Sequence, residues 1–133
     1  MPTGRSARVA VSFNSCAVLV VEDEVVTRSV SVRLLKQLGV GTVIEAADGA
    51  EALARCNRVD FDAIFCDVDM VPMGGLAFLE ALDGRAPVIM LTKHDRSDVV
   101  LSALRSGATG YLVKPLTTFG LREKLEKALS AKG

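Results

Sequence analysis

A chain of 133 residues fits one domain and is long enough to bury a core of its own. Hydrophobic residues make up 50% of it, aromatics only 5%, and Trp is absent, so that core is aliphatic. Sixteen Lys and Arg balance sixteen Asp and Glu, which leaves no basic field to attract nucleic acid or a membrane surface and argues against a DNA-reading module.

Residues 1–15 read as an N-terminal tail and 16–133 as the domain. Arg5 and Arg8 precede weakly alternating Val9, Val11 and Phe13, a pattern open to an edge strand or a mobile segment. Ser12, Asn14 and Ser15 interrupt that stretch and Glu22-Asp23-Glu24 follows it, so it is no secretion signal. No apolar run approaches the ~20 residues that span a bilayer. Three cysteines, Cys16, Cys56 and Cys66, form no C-x-x-C pair and lie in or beside apolar runs. Small core hydrophobes are the expected role, in a reducing, cytoplasmic setting.

Ala17 to Val21 is a short, wholly apolar, β-branched run, the mark of a strand covered on both faces. An amphipathic helix follows, with Val26, Val30, Leu34 and Leu38 on one stripe, stopped by Gly39 and Gly41. Thr42 to Ala46 is the second strand. Asp48 and Glu51 have capping-box spacing and open the second helix. Ala63 to Cys66 is the third strand, ending at Asp67, and the loop from Val71 to Gly75 leads to a short helix around Leu76 to Leu82. Val88 to Leu91 is the fourth strand. Asp95 or Ser97 caps the fourth helix, whose stripe holds Val100, Ala103 and Leu104. Tyr111 to Val113 is the fifth strand, closed by Lys114 and Pro115, and the last helix carries Leu121, Leu125, Ala128 and Leu129.

Strands alternating with helices in this way predict an α/β fold around a five-stranded parallel sheet with helices on both faces. Such sheets place their sites beyond the carboxyl ends of the strands. The ends here carry Glu22 and Asp23, Asp67, Thr92 and Lys114, four polar positions that converge on one crevice. Carboxylates with a Lys and a hydroxyl suit magnesium and phosphate chemistry. Mg²⁺ takes hard oxygen ligands, which Asp23 and Asp67 supply, with Glu22 acting directly or through water. Lys114 offers a point charge to phosphoryl oxygens and Thr92 a hydrogen bond. A carboxylate attacking phosphorus in line within this array gives an acyl phosphate. Taken singly, each position has a plainer role: an acidic helix start, a turn cap or a solvated strand end. Four such ends together are hard to assign to chance.

The runs VLVVEDE (18–24), VIEAADGAEAL (43–53), FDAIFCDVDM (61–70), VIMLT (88–92) and GYLVKP (110–115) resemble the receiver domains of bacterial response regulators, in a single-domain, chemotaxis-regulator-like form. The resemblance covers about residues 16–130. It implies a flavodoxin-like sheet of order 2-1-3-4-5. It also implies that Asp67 accepts a phosphoryl group from a histidine kinase or phosphotransfer protein, without turnover catalysis. Glu22, Asp23, Asp67 and the backbone carbonyl of Asp69 would hold Mg²⁺. Thr92 and Lys114 would hold the phosphoryl group, Lys114 and Pro115 would join through a cis bond, and Tyr111 would be the switch aromatic. The switched surface, formed by the fourth helix, fifth strand and last helix, would bind a downstream protein or a second copy of the chain. Asp69 and His94 flank the path of the hydrolytic water in such domains and are expected to tune the phosphoryl lifetime. Val71, Gly74-Gly75 and Leu116 depart from the commonest family pattern, which bears on the shape of the loop Val68 to Gly75.

Three rivals exist. Asp67-Val68-Asp69 matches the D-x-D motif of haloacid-dehalogenase-like phosphatases, but the acidic pair lies upstream here where those enzymes need it downstream. A flavin carrier of the same fold would need a phosphate loop where Glu22-Asp23-Glu24 would repel it. A receiver that works unphosphorylated would not need the intact Asp, Thr and Lys. No effector pattern follows the last helix, which leaves a stand-alone regulator or one piece of a longer chain.

Overall fold

A computed structural model describes residues 12–70, 73–93 and 97–132. His94, Asp95, Val71, Pro72 and residues 1–11 of the tail lie outside the described residues. Five strands, β1 Ala17–Val21, β2 Thr42–Ala46, β3 Ala63–Asp67, β4 Val88–Thr92 and β5 Gly110–Val113, alternate with five helices. The helices are α1 Val25–Gln37, α2 Gly49–Cys56, α3 Gly75–Leu82, α4 Ser97–Arg105 and α5 Thr118–Lys132. All strand pairs are parallel, and the sheet order is β2-β1-β3-β4-β5, the flavodoxin-like arrangement.

Alternation along the strands sorts the core into two layers, because successive side chains leave a strand on opposite faces. Leu19, Val21, Ile64, Cys66, Val88 and Met90 pack with Ala52 of α2, Phe78 and Leu82 of α3 and Ala103 of α4. Val18, Val20, Ala63, Phe65, Ile89 and Leu91 pack on the other face with Leu35 of α1 and Leu121, Leu125 and Ala128 of α5. Both faces of the central strands are therefore covered, which is why they read as unbroken apolar runs. Asp48 caps α2 by accepting the Glu51 amide at 2.9 Å, and the Glu51 carboxylate accepts the Ala47 amide in return.

The phase of α1 differs from the sequence expectation. Val26 and Val30 are exposed, Leu34 and Leu38 are half-buried, and the fully buried positions are Ser31 and Leu35. A polar residue is tolerated in the buried stripe because the Ser31 hydroxyl donates to the Thr27 carbonyl one turn back, at 3.2 Å. A stripe chosen by hydrophobicity therefore lands one residue away from the stripe that packs. On α4, likewise, Ala103 is buried while Leu104 is exposed.

Within the stretch read as tail, Phe13 is buried in the layer under α1 and α5. Its carbonyl accepts from the amides of Cys16 and Gly41, both at 3.0 Å. A Cβ on Gly41 would lie 1.8 Å from the Asn14 carbonyl oxygen, so only glycine lets the two backbones approach this closely. Among the described residues, no helix is long and apolar enough to cross a membrane.

Candidate functional site

The register of the parallel sheet assembles the crevice. Val21 is level with Cys66, so the residues that follow them, Glu22 and Asp67, emerge side by side at the carboxyl end of the sheet. Asp67 is level with Leu91, and Thr92 with Val113, so β4 and β5 deliver Thr92 and Lys114 to the same edge. The Lys114 amide donates to the Thr92 carbonyl at 2.8 Å, which ties these two positions together. The Lys114–Pro115 peptide is cis.

Glu22, Asp67 and Thr92 are all at most 5% exposed, rare for two carboxylates in an aliphatic core. Asp23 is exposed at the rim, and carboxylate oxygens of Glu22, Asp23 and Asp67 lie within 4.8 Å of one another. Lys114 Nζ is 2.6 Å from Glu22 Oε1 and 3.5 Å from Asp67 Oδ1. Burial, followed by hydrogen bonding to Glu22 and its charge, pushes the Asp67 carboxyl up to about 7, and Lys114 only partly opposes this. Burial pulls the Lys114 ammonium down, but the bond to Glu22 and the charges of Asp67 and Glu22 more than reverse it, leaving it raised.

These numbers fit a divalent cation. Three carboxyl groups face one ammonium in a confined site. Crowding of these carboxyl groups raises the affinity of Asp67 for a proton, and a cation would relieve the same crowding. An oxygen-only donor set without His or Cys is the kind Mg²⁺ accepts, and such a cation inverts the local pKa logic.

The start of α3 lies against the end of β3. The Gly75 amide donates to the Val68 carbonyl at 3.0 Å, and a Cβ on Gly75 would lie 2.3 Å from the Asp67 carbonyl oxygen. Glycine at the start of α3 is thus needed for that helix to close over the backbone of Asp67. The Asp69 side chain is exposed and outside the carboxylate cluster. Tyr111 is half-buried against the layer that contains Ala103 of α4. Cys66, adjacent to Asp67, is wholly buried, and burial, with Asp67 and Glu22 nearby, pushes its thiol up, so it is an inert core residue.

Arg28, on α1, went unnoticed in the sequence. It donates from one terminal nitrogen to the Glu22 carbonyl at 2.7 Å and from Nε to Glu45 Oε1 at 2.9 Å. Its position after the acidic pair carries no local signal, since a charged residue on a helix is usually a solvated one.

Residues 18–126 match the family described as the response regulator receiver domain. Chemotaxis protein CheY-3 of Vibrio cholerae is 32% identical over 123 residues, which cover 89% of this chain and 95% of that protein. The transcriptional regulatory protein ZraR of Salmonella typhimurium is 37% identical over 116 residues, 85% of this chain, but the match spans only 26% of ZraR. The solved structure of CheY4 from Vibrio cholerae superposes with a TM-score of 0.79 at 34% identity, covering 86% of this chain and 98% of that one. A two-component response regulator from Clostridium difficile shares the fold at a TM-score of 0.81 and 21% identity, over 90% of this chain and 99% of that one. A crevice of buried carboxylates on a sheet of order 2-1-3-4-5 and a match over nearly the whole packed body lead to one family: the chain belongs to the response regulator receiver domains of two-component systems.

Proposed function

We propose that Asp67 is the phosphoacceptor of a phosphorelay and takes its phosphoryl group from a phosphohistidine of a histidine kinase or phosphotransfer protein. The observation that carries this reading is the pairing of a buried Asp67 with both the acidic pair and Lys114 at one strand edge. A carboxylate oxygen of Asp67 attacks phosphorus, the P–N bond to the imidazole breaks, and the bonding pair stays with the departing nitrogen. Lys114 leaves its contact with Glu22 to pair with a phosphoryl oxygen, and the Thr92 hydroxyl donates to another. Mg²⁺, held by Glu22, Asp23, Asp67 and the Asp69 carbonyl, would supply the positive charge that keeps Asp67 ionised and offsets the charge of the incoming oxygens. Glu22 and Asp23 directly follow β1, upstream of Asp67, which supports this reading over a haloacid-dehalogenase-like phosphatase. The test is incubation with Mg²⁺ and a small phosphoryl donor followed by intact mass; no gain in mass would refute it.

The output surface is the face of α4, β5 and α5, which would bind a downstream protein or a second copy of the chain. Thr92 shares the strand phase of Val88 and Met90, which point into the layer where Tyr111 packs. Drawing the Thr92 hydroxyl toward a phosphoryl group therefore frees volume beside Tyr111 and repacks α4 against β5. A beryllofluoride mimic should shift the amide signals of residues 97–107 and of Tyr111. Shifts confined to the residues around Asp67 would disprove the coupling.

Asp69 is exposed two residues beyond Asp67, where its carboxylate is free to orient a hydrolytic water within hydrogen-bond reach. Asp69→Ala should lengthen the phosphoryl lifetime by about 10-fold or less, because one positioning group among several is lost. His94, outside the described residues, is assigned a smaller effect that fades above its titration range. The decay of phosphorylated protein at fixed Mg²⁺ measures both, and an unchanged or shortened lifetime in Asp69→Ala would remove that role.

A further inference from the structure

We propose that Arg28 is a positioning residue for the acidic pair, a role that rests on the reading of Glu22 and Asp23 as cation ligands. The backbone of Glu22 is held at both of its ends, by its amide and by its carbonyl. The Glu22 amide donates to the Ala46 carbonyl at the end of β2, at 3.0 Å. The Glu22 carbonyl accepts from Arg28 at 2.7 Å. Arg28 is itself fixed by Glu45, the neighbour of Ala46 on β2, through a 2.9 Å ion pair. The result is a closed ring: Glu22 to Ala46, along β2 to Glu45, across to Arg28 and back to Glu22. Arg55 of α2 adds a bond from Nε to the Glu45 carbonyl at 3.3 Å, which anchors the β2 side of the ring.

The carbonyl that Arg28 grips lies in the peptide plane between Glu22 and Asp23. Since a peptide is planar, fixing its oxygen fixes the directions in which both residues leave the chain. The Glu22 side chain meets Lys114 at 2.6 Å on the buried side, while Asp23 stands at the rim. Holding this plane restrains ψ of Glu22 and φ of Asp23, the two torsions that set the side chains relative to each other. Two such groups are useful to a cation only if held at a common point, and groups behind the ligands commonly do that holding.

The guanidinium suits the task because it presents separate donors in a rigid plane, one for the carbonyl and one for the carboxylate. A lysine ammonium is a single point and cannot reproduce both contacts with the same geometry. An ordinary solvated ion pair between Arg28 and Glu45 would contribute little and would not alter Glu22. The Arg28 side chain is only 17% exposed, and its contact with a backbone carbonyl separates it from that case.

The experiment is an NMR titration of the full chain with Mg²⁺ alone, in wild type, Arg28→Lys, Glu45→Gln and the double variant. Arg28→Lys should weaken Mg²⁺ by about 10-fold, the lower end of what loss of a ligand-orienting group costs. Glu45→Gln, which touches neither Glu22 nor the cation site, should reproduce part of that loss, and the double variant should lose less than the two single losses combined. Before Mg²⁺ is added, the amide signals of Asp23 and Glu24 should already broaden or shift in both single variants. Unchanged Mg²⁺ affinity in Arg28→Lys, even with a lowered melting temperature, would reduce Arg28 to a structural residue and overturn the proposal. A wild type that fails to bind Mg²⁺ at all would instead refute the cation reading, and the metal-free amide signals would then decide whether Arg28 orders this peptide.

Discussion

Asp67→Asn is expected to gain no phosphoryl mass under conditions in which the wild-type chain, with Mg²⁺ and a small phosphoryl donor, gains one group. The loss should be complete, because the amide that replaces the carboxylate has no anionic oxygen to attack with. Neither neighbouring carboxylate is placed to take over. Glu22 is engaged by Lys114 at 2.6 Å and is 2% exposed, which withholds its oxygens from an incoming phosphorus. Asp23 is exposed at the rim. Asp67 alone of the three ends a central strand, is buried, and lies 3.5 Å from Lys114. Intact mass after the incubation decides the matter. A gain in Asp67→Asn equal to that of wild type would move the phosphoacceptor elsewhere.

The parts of this site that were legible beforehand are those that follow from strand ends. A parallel sheet puts every carboxyl end on one side, so an apolar run ending in Asp67 and another ending in Thr92 need no long-range information to be placed together. The order that makes β1 and β3 neighbours came from the family resemblance, not from periodicity. What stayed hidden depends on backbones meeting across the fold. Gly75 reads as a loop residue, yet the Asp67 carbonyl leaves no room for a side chain there. Arg28 reads as a solvated helix charge, yet its partner is a carbonyl six residues earlier. The stripe of α1 failed for a related reason. Ser31 satisfies its hydroxyl within the helix and takes a buried position, while Val26 and Val30 face outward. Hydrophobicity along a helix reports one candidate stripe, and a small hydroxyl bonded one turn back can sit in the buried stripe instead of an aliphatic residue.

The metal-free chain should lose stability as pH rises from about 4 to about 7, and Asp67→Asn should remove that loss. In the folded protein the Asp67 carboxyl holds its proton up to about 7, whereas its ordinary value is 3.8. Between those values the folded state binds a proton that the unfolded state has released, so unfolding becomes easier as pH rises. The sign is opposite to that of a salt-bridged carboxylate, which gains stability over the same range. Lys114 does not blur the window. Its raised value contributes stability that is fully present below about 10.5 and is lost only as pH climbs through the higher folded value. The coupling of the neighbouring carboxyl groups keeps the effect below what the full difference between the two values would give. Urea unfolding in a chelating buffer at pH 5 and pH 8 measures it as wild type minus Asp67→Asn, which cancels the other titrating groups. The variant should be the more stable of the two at pH 8, with the gap narrowing toward pH 4. Mg²⁺ at pH 8 should stabilise wild type more than the variant, because the cation takes over the charge compensation that the proton supplied. A gap that does not change between pH 5 and pH 8 would mean that Asp67 ionises freely in the folded chain, and that the crevice does not store the negative charge its geometry implies.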